Sequence, residues 1–565
     1  MTVHVSGRRS PARFALDTVL DVAGLSTAES NDALSLNIAM PDSDTNARET
    51  RLYFGAVSDE VALRFGVRQL GELACSTLRF ACGEPLWTAD DLDIIDRFAS
   101  RDAAAPLAQR LAVSVSRDRT SEVLLRDANG DALVLRQGDA IWSLWNIPES
   151  LALLLGEGYL MSTANETRDW LATWRPAQQL YYRLPSAWRS RVQKRMIRGL
   201  NDKLAQQPAD QFATRYPIDA IGWLLLRAIR NLIRLTGGDA LPSVDPWPNG
   251  SRACVVVSQD IEPTRYAYRH GLPRLLNWLQ AEGTPPHTIN VVGNEARREP
   301  KLWNRSKFTH NEVGCHGWLH DGHEARLPRA SMIEYFDRAR YVIESLHGVP
   351  VTTFRSPRLD RSPSLYEALE ICGFTCDSTI PDVDRENTHR WGGGCSFNFP
   401  FHPVVAAGQD WRQLDLLECP VTAPDCAMPV FAGGTEAEAI ALYSRKLDWI
   451  EAIGGCAVAI FHGGVFGDED AGLRQRLLAG YYRSLTGRNV WRATLRELEK
   501  WWRIRQSLHA SVSDGAVTLA NRGSSHSFPV RLSWLGTSWM VPALAPGTSW
   551  SSATLASSAV EARVH

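Results

Sequence analysis

The stretch Ala253-Cys254-Val255-Val256-Val257, followed at once by Ser258-Gln259-Asp260-Ile261-Glu262, decides the fold of the chain around it. A short apolar run that ends in polar residues is typical of a buried strand. Downstream, strand patterns alternate with helical ones. Further strands are predicted at 287–292, 351–354 and 456–461, and helices at 272–281, 330–346, 364–372 and 436–453. This alternation predicts β-α units that form a parallel sheet or barrel.

The chain, with 565 residues, is too long for one hydrophobic core, because single cores rarely grow beyond about 250–300 residues. The pattern predicts four regions. They are an N-terminal α/β domain at 1–140, a helical region with a linker at 141–248, the β/α barrel at 249–508 and a small β-rich appendage at 509–565.

Local patterns outside the barrel predict further elements. Strands are expected at 51–54 and 61–65, a helix at 90–96, and a hairpin formed by 122–126 and 132–136 around the Asn129-Gly130 turn. Helices are expected at 149–159, 187–204 and 218–235, and C-terminal strands at 512–519, 528–534 and 539–544.

The composition excludes several classes of protein. A net charge of -2 disfavours a basic nucleic-acid-binding surface. No run of about 18 apolar residues is present, so we expect no membrane span. The ten cysteines lack Cys-x-x-Cys spacing and are expected to be buried free thiols. Free thiols, together with no secretory pattern near the start, predict a cytoplasmic protein. The oligomeric state is left open.

His316 and His320 are candidate metal ligands. Two imidazoles four residues apart can lie on one side of a helical turn or a tight loop and reach the same ion. The alternative is a surface turn with two solvated rings. Other strand ends favour the metal, because the polar residues at Asp260–Glu262, Arg355 and His462 also follow predicted strands. Loops at such ends converge on one mouth of a β/α barrel.

This order of motifs resembles the NodB-homology polysaccharide deacetylases, carbohydrate esterase family 4, over roughly 251–500. The resemblance rests on Asp260, on Glu312-Val313-Gly314-Cys315-His316-Gly317-Trp318-Leu319-His320, on Phe354-Arg355-Ser356-Pro357 followed by Ser362-Pro363-Ser364-Leu365, and on His462. It implies a distorted (β/α)7 barrel of the NodB type. A looser similarity, carried by Trp247-Pro248 and residues 216–220, is to multidomain deacetylase-like proteins of bacterial surface-polysaccharide pathways.

The chain departs from the family pattern at three places. Ile261 stands where the family has a second aspartate, and Glu262 follows it, which resembles the branch in which the later acid binds the metal. The loop at 355–359 lacks the usual glycine. The tryptophan–aspartate motif has no clean match. Its candidates are Asp410-Trp411, Asp415, Glu418 and Asp425.

The resemblance implies a divalent metal, Zn²⁺ by ligand type, held by Glu262, His316 and His320. Asp260 would be the general base and Arg355 would keep it ionised. His462 would protonate the leaving amine, with its tautomer fixed by Asp425 or Asp415.

The expected activity is therefore removal of an N-acetyl or similar acyl group from a saccharide or polysaccharide precursor. Two other functions stay open. The chain could hydrolyse the C–N bond of a small amide, or it could be a lapsed barrel that only binds saccharide, which Ile261 keeps possible. A serine esterase is excluded because the chain lacks Gly-x-Ser-x-Gly. Trp534, Trp539 and Trp550 could stack on sugar, although packing against the barrel is the expected role.

Overall fold

The computed structural model describes most of the chain. The described residues are 2–6, 9–27, 35–40, 50–65, 67–74, 77–79, 86–98, 104–106, 109–115, 121–126, 131–156, 218–237, 240–264, 266–302, 308, 310–320, 324–383, 394–408, 410–425, 430, 434–466 and 472–553.

A curled parallel sheet flanked by helices forms the centre of the molecule, as expected for a distorted β/α barrel. Its elements are β12 (Ala253–Ile261), α6 (Leu272–Ala281), β13 (Thr288–Val291), α7 (Gly293–Arg298), β14 (Glu312–Cys315), α8 (Arg329–His347), β15 (Thr353–Phe354), α9 (Pro363–Ile371), β16 (Cys376–Asp377), β19 (Leu417–Glu418), β20 (Val421–Pro424), α10 (Glu436–Ile453), β21 (Cys456–Phe461), α11 (Leu473–Ser484), β22 (Val490–Ala493) and α12 (Leu495–Gln506). The strand order is β19-β16-β15-β14-β13-β12-β21-β20, and β22 also pairs with β12. A hairpin of β17 (Val404–Ala407) and β18 (Asp410–Gln413) lies outside this sheet.

Burial on both faces explains why the central strands are largely apolar. All nine residues of β12 and all six of β21 are buried, as expected for parallel strands that are covered on both faces. The predicted helices at 272–281 and 436–453 and the predicted strand at 456–461 agree with the observed bounds. The first strand, however, continues to Ile261, so Asp260 lies within the strand and not behind it.

Capping residues define the helix ends of the barrel. Thr435 and Glu438 form a capping box at the start of α10, and Thr494 and Glu497 form another at the start of α12. Such reciprocal bonds satisfy backbone N–H groups that have no partner within the helix. The C-cap Gly454 has φ of 71°, a left-handed conformation that glycine adopts without strain, and it ends α10 directly before β21.

The N-terminal part contains a mixed sheet and packed helices. Its elements are β1 (Thr2–Ser6), α1 (Pro11–Val22), β2 (Ser35–Ala39), β3 (Thr50–Phe54), α2 (Asp59–Arg64), β4 (Val67–Ala74), β5 (Thr77–Arg79), α3 (Ala89–Phe98), β6 (Ala104–Pro106), β7 (Gln109–Val115), β8 (Glu122–Arg126), β9 (Ala132–Gln137), β10 (Ala140–Ser143), α4 (Ile147–Leu155), α5 (Ile221–Leu235) and β11 (Ser243–Val244). Among the described strands, six form one sheet in the order β1-β2-β3-β10-β9-β8. The pairing of β8 with β9 and the helix α3 confirm their predictions, whereas the predicted Asn129-Gly130 turn lies outside the described residues.

The predicted strand at 61–65 is wrong, because the segment forms helix α2. Ser58 caps the helix by accepting a hydrogen bond from the Val61 backbone N–H, and Asp59 and Glu60 stabilise its first turn. These signals outweigh the strand preference of the apolar residues that follow. The predicted helix at 187–204, and the end of the predicted helix at 149–159, lie outside the described residues.

The C-terminal part is β-rich, as predicted. Its strands are β23 (Leu508–Ser513), β24 (Ala516–Asn521), β25 (Val530–Trp534), β26 (Thr537–Val541) and β27 (Ser549–Ser551). The single strand predicted at 512–519 is wrong, because Asp514 and Gly515 have φ of 50° and 74° and turn the chain between β23 and β24. The Trp534 indole N–H donates to the Ala240 carbonyl, and the rings of Trp539 and Trp550 contact each other beside the core. The described contacts of the three rings are therefore packing contacts.

Helix α12 joins the parts of the chain at the amino end of the barrel strands. The Arg505 guanidinium binds the Asp21 carboxylate and the backbone carbonyls of Asp21, Val22, Val244 and Asp245. One cluster of buried apolar residues extends from Val3 to Leu544, and a smaller one lies in the N-terminal part. The division into four domains therefore stays a prediction.

Two smaller expectations concern the described residues alone. The described cysteines, which are Cys254, Cys315, Cys372, Cys376, Cys395, Cys419 and Cys456, are all buried free thiols. Helices that are both long enough and apolar enough to cross a membrane are absent from the described part of the chain.

Candidate functional site

An ion pair lies at the carboxyl ends of the barrel strands. Arg355, the residue after β15, donates from Nη1 to Asp260 Oδ1 at 3.2 Å and to Ser258 Oγ at 2.6 Å. The arginine is fully buried and Asp260 is 4% exposed. Burial alone would raise the pKa of Asp260, but the Arg355 guanidinium and, after it, the nearby imidazoles of His316 and His462 outweigh it and hold this pKa below its usual value. The predicted contact between Arg355 and Asp260 is confirmed, and Asp260 is ionised at neutral pH.

The Arg355 guanidinium is fixed on its other side as well. Its Nε donates to the Ser378 carbonyl at 2.7 Å and its Nη2 donates to Ser378 Oγ at 2.9 Å. The planar guanidinium group has several donors in a fixed geometry, so bonds on two sides hold it against rotation. The position of Asp260 Oδ1 is therefore set by strands β12 and β15 and by the residue that follows β16.

His316 and His320 lie in a tight loop after β14, with ring centroids 4.8 Å apart. His316 Nδ1 is 2.9 Å from the Arg355 carbonyl oxygen. Because a carbonyl oxygen only accepts, Nδ1 carries the proton and Nε2 has a free lone pair. Burial lowers the pKa of His316 to about 4, so the ring is neutral at pH 7. A neutral imidazole with its second nitrogen held by a carbonyl is the usual form of a metal-binding histidine.

Glu262 is the residue after β12 and faces the same site. Its Oε1 is 3.8 Å from His462 Nε2, and its Oε2 is buried without a hydrogen-bond partner among the described residues. Burial opposes ionisation, yet His320, His462 and His316 hold the pKa of Glu262 below its usual value. An ionised carboxylate with an unsatisfied oxygen, close to imidazoles, has the donor chemistry of a divalent-cation site.

The alternation of side chains along a strand explains the residue between the two acids. Side chains two residues apart point to the same face, so Asp260 and Glu262 share a face and Ile261 points to the opposite one. Ile261 is fully buried in the core. Its presence in place of an aspartate therefore leaves the Glu262 carboxylate on the same face as Asp260. Within the described residues, however, no group of three such side chains is already arranged as a metal site.

His462, which follows β21, is held by Asp425. Its Nδ1 is 2.5 Å from Asp425 Oδ1, and its backbone N–H donates to Asp425 Oδ2 at 3.0 Å. Arg474 Nε donates to the same Oδ2 at 2.9 Å. Burial would lower the pKa of His462, but Asp425 outweighs it and raises this pKa to about 9. Of the two partners predicted for His462, Asp425 is confirmed, whereas Asp415 pairs with Arg503.

Residues 249–376 match the polysaccharide deacetylase family. The matched segment, called the deacetylase segment below, runs from just before β12 to the first residue of β16. It includes Asp260, Glu262, His316, His320 and Arg355, whereas His462 lies beyond it. The predicted resemblance to this family is thus confirmed.

Solved structures with similarity to the chain share little sequence with it. A Mycobacterium smegmatis chain named as a polysaccharide deacetylase is 22% identical and covers 47% of this chain and 96% of its own, with a TM-score of 0.37. The allantoinase Puue is 15% identical and covers 46% and 93%, with a TM-score of 0.37. A family 4 acetyl xylan esterase from Clostridium thermocellum, in complex with a cobalt ion, is 17% identical and covers 44% and 90%, with a TM-score of 0.28. Comparison with curated proteins gives no significant match.

Sequence reasoning missed a second residue that donates a hydrogen bond to Asp260. Within the deacetylase segment, Asn290 lies beside Asp260 in the β12–β13 register, and its Nδ2 donates to Asp260 Oδ1 at 2.9 Å. Asn290 is fully buried. The sequence signal that could have found it is a polar residue, Asn290, inside the predicted strand at 287–292, which pairs with the strand that carries Asp260.

The other candidates for the tryptophan–aspartate motif are Asp410-Trp411 and Glu418. Their described contacts do not include the residues of the site. Asp410 and Trp411 lie in the outer hairpin. Glu418 is fully buried, and its Oε1 accepts from the backbone N–H groups of Thr379 and Ile380. These two residues directly follow Ser378, which binds Arg355, so Glu418 reaches the site only through this segment.

Two neighbouring carboxyl groups, Asp377 and Glu418, lie near Arg355. Asp377 and Glu418 are neighbours in the β16–β19 register, and both are fully buried. Asp377 Oδ2 and Glu418 Oε2 have no hydrogen-bond partner among the described residues. One proton shared between the two oxygens would satisfy both. Burial raises the pKa of Asp377 to about 6, and burial together with the Asp377 charge raises the pKa of Glu418 well above its usual value.

This pair predicts that stability falls as the pH rises. A carboxyl group whose pKa is raised by folding binds its proton more tightly in the native state, so its stabilising effect is complete below the unfolded pKa of about 4. The effect is lost as the pH rises through the folded pKa, which is about 6 for Asp377. We expect Glu418→Gln, which resembles the protonated acid, to gain stability relative to the wild type as the pH rises above about 5, by up to about 1.4 kcal/mol per pH unit for each proton retained.

Urea unfolding at several pH values measures this difference. Glu334→Gln is the matched control, because Glu334 lies on the surface of α8 with its side chain 64% exposed. Parallel stability curves for the wild type and Glu418→Gln would contradict the shared proton.

Proposed function

We propose that this chain removes an N-acetyl or similar acyl group from a saccharide or polysaccharide precursor, with a divalent metal, Zn²⁺, held by Glu262, His316 and His320. The observation that carries the proposal is the buried Asp260–Arg355 ion pair, which lies near a neutral His316 and across from the His462–Asp425 pair. An ionised base and a charged acid close to each other are what hydrolysis of an amide needs.

A divalent ion bound there would polarise the acyl carbonyl and lower the pKa of water. The donor chemistry of Glu262, His316 and His320 supports the ion, and the ordered tautomer of His316 presents Nε2 to it. Zn²⁺ is proposed because two imidazoles and one carboxylate are a common zinc set with an open position.

Asp260 is proposed as the general base. Both of its described hydrogen bonds end on Oδ1, from Arg355 and Asn290, which leaves Oδ2 to take a proton from the attacking water. Arg355 keeps the carboxylate charged before the reaction. Because the two donors fix the carboxylate, little reorganisation is needed when the proton moves.

His462 is proposed as the general acid. With a pKa of about 9 it is protonated at neutral pH, and Asp425 fixes its Nδ1. Nε2 then points toward Glu262 and can give its proton to the leaving amine. The side chains of His462 and Glu262 are each 19% exposed, whereas those of Asp260 and Arg355 are 6% and 0% exposed. The substrate is thus expected to approach from the side of His462 and Glu262.

Two wider proposals accompany the function. The chain is proposed to have four domains, at 1–140, 141–248, 249–508 and 509–565. It is proposed to act in the cytoplasm, where buried free thiols such as those of the barrel strands remain reduced.

Metal content and product identity test the proposed function. We expect one Zn²⁺ per chain after loading, and His316→Ala should lose it because one of three protein ligands is removed. Incubation with N-acetylated saccharides should release acetate. Release of ammonia from small amides without acetate would favour the alternative C–N hydrolase. A wild type that binds no metal and releases no acyl group from either kind of substrate would favour a lapsed saccharide-binding barrel.

A further inference from the structure

Glu324 contacts the backbone of the loop that carries the two histidines. It begins a short 3-10 turn, Glu324–Arg326, and its side chain is 2% exposed. The Trp318 backbone N–H donates to Oε1 and Oε2 at 2.9 Å and 3.0 Å, and the Leu319 backbone N–H donates to Oε1. Trp318 and Leu319 lie between His316 and His320, so one buried carboxylate holds the centre of the loop.

The opposite side of the same loop is held by helix α7. The Gly293 N–H donates to the Gly317 carbonyl at 2.9 Å, and the Asn294 N–H donates to the Trp318 carbonyl at 3.1 Å. The loop N–H groups thus bind Glu324 while its carbonyl groups bind the start of α7. With both sets of backbone groups fixed, the peptide planes between His316 and His320 have little freedom to rotate.

Gly317 shows how closely the carboxylate approaches. Gly317 has φ of 72°, and a Cβ atom there would lie 2.2 Å from Glu324 Oε2 and 2.9 Å from Pro357 Cγ. Such distances are shorter than non-bonded atoms allow. Only glycine therefore permits both the left-handed turn after His316 and the contact with Glu324.

The curled loop also places His320 in an uncommon conformation. His320 has φ of 56°, a left-handed value that non-glycine residues adopt at a cost. Such values persist where neighbouring contacts over-determine the backbone, and they are common at ligand sites. Charge-assisted bonds to a buried carboxylate are among the stronger hydrogen bonds of a protein. Those from Trp318 and Leu319 fix the two residues that directly precede His320.

We propose that Glu324 is a positioning residue that sets the spacing and direction of His316 and His320 so that both rings can face one divalent cation. This inference rests on the proposed function, since it concerns the same ion. Glu324 itself does not bind the ion, because its carboxylate is occupied by the loop N–H groups. A change in Glu324 should therefore act on metal affinity through loop order.

Amide hydrogen exchange and Zn²⁺ affinity test the proposal in the metal-free full-length protein. In Glu324→Ala, the Trp318 and Leu319 amides should exchange at least about 10-fold faster, and the Zn²⁺ Kd from competition with a chromophoric chelator should rise about 10–100-fold, as for other residues that orient metal ligands. Glu324→Gln should be intermediate, because its amide oxygen accepts but carries no charge. Glu334→Ala, an exposed acid on α8, is the matched control and should change neither value.

A double-mutant comparison separates this role from a general loss of stability. Gly317→Ala should also weaken Zn²⁺ binding, and by a smaller factor when Glu324 is already alanine, because the added methyl group then meets no carboxylate. All affinities are measured where urea unfolding shows each variant to be folded, and Glu324→Gln replaces Glu324→Ala if the latter does not fold. Wild-type Zn²⁺ affinity and wild-type amide protection in the Glu324 variants would overturn the inference. Failure of the wild type itself to bind Zn²⁺ would instead overturn the proposed metal site, while amide exchange would still decide whether Glu324 orders the loop.

Discussion

Replacement of Asp260 by Asn should lower kcat for release of the acyl group by about 10²–10⁴-fold, the range typical of a lost general base. The amide keeps the shape of the side chain, and its oxygen can still accept from Arg355 and Asn290. It cannot accept a proton from water. We therefore expect the protein to fold and to bind substrate with a similar KM, while turnover is lost.

Steady-state kinetics combined with metal analysis checks this prediction. Asp448→Asn is the control, because Asp448 is a partly exposed acid on α10 that pairs with Arg488. Wild-type turnover in Asp260→Asn would remove Asp260 from the mechanism. Loss of Zn²⁺ in Asp260→Asn but not in Glu262→Gln would show that Asp260, and not Glu262, is the third ligand.

Replacement of His462 by Ala should also lower kcat by about 10²–10⁴-fold, with metal content unchanged, because the general acid is lost while the three metal donors remain. The effect should be larger for substrates whose leaving amine is more basic, since these depend most on protonation. The expected ratio of Zn²⁺ to protein is the same as in the wild type. Parallel loss of metal and turnover would instead make His462 a metal ligand.

The companion variants for this prediction are two aspartates. Asp425→Asn removes the charge that holds Nδ1 of His462, so it should lower kcat while KM changes little. Asp415→Asn is the matched control, because Asp415 pairs with Arg503 on the surface with its side chain 77% exposed. Equal effects of the two substitutions would contradict the assignment of Asp425.

The barrel was predictable because its signals are local. Apolar runs such as 456–461 and caps such as Thr435 act over a few residues, so pattern reasoning locates the strands and helices. The strand prediction at 61–65 was wrong because Ser58, three residues earlier, starts a helix that the apolar residues alone do not indicate. The turn at Asp514-Gly515 failed for a similar reason, since a single pair of left-handed residues divides one apparent strand into two.

The candidate site was predictable only in part. Asp260, His316, Arg355 and His462 could be named because strand ends in a barrel converge, whatever the loops do. The choice between Asp425 and Asp415 could not be made, because it depends on which loop passes His462 in space. Asn290, Glu324 and the Asp377–Glu418 pair were missed because their roles follow from strand register and burial, which no local pattern contains.

The contacts of Arg505 affect the order in which the chain can fold during synthesis. Domains usually fold as they leave the ribosome, the N-terminal one first. At the end of helix α1, however, Asp21 and Val22 accept hydrogen bonds from the Arg505 guanidinium, and Arg505 lies 484 residues after Asp21 in the chain. The end of α1 therefore stays without this partner until the barrel is almost fully translated. Nascent chains stalled before residue 505 should leave the C-terminal end of α1 more open to protease than it is in the complete chain.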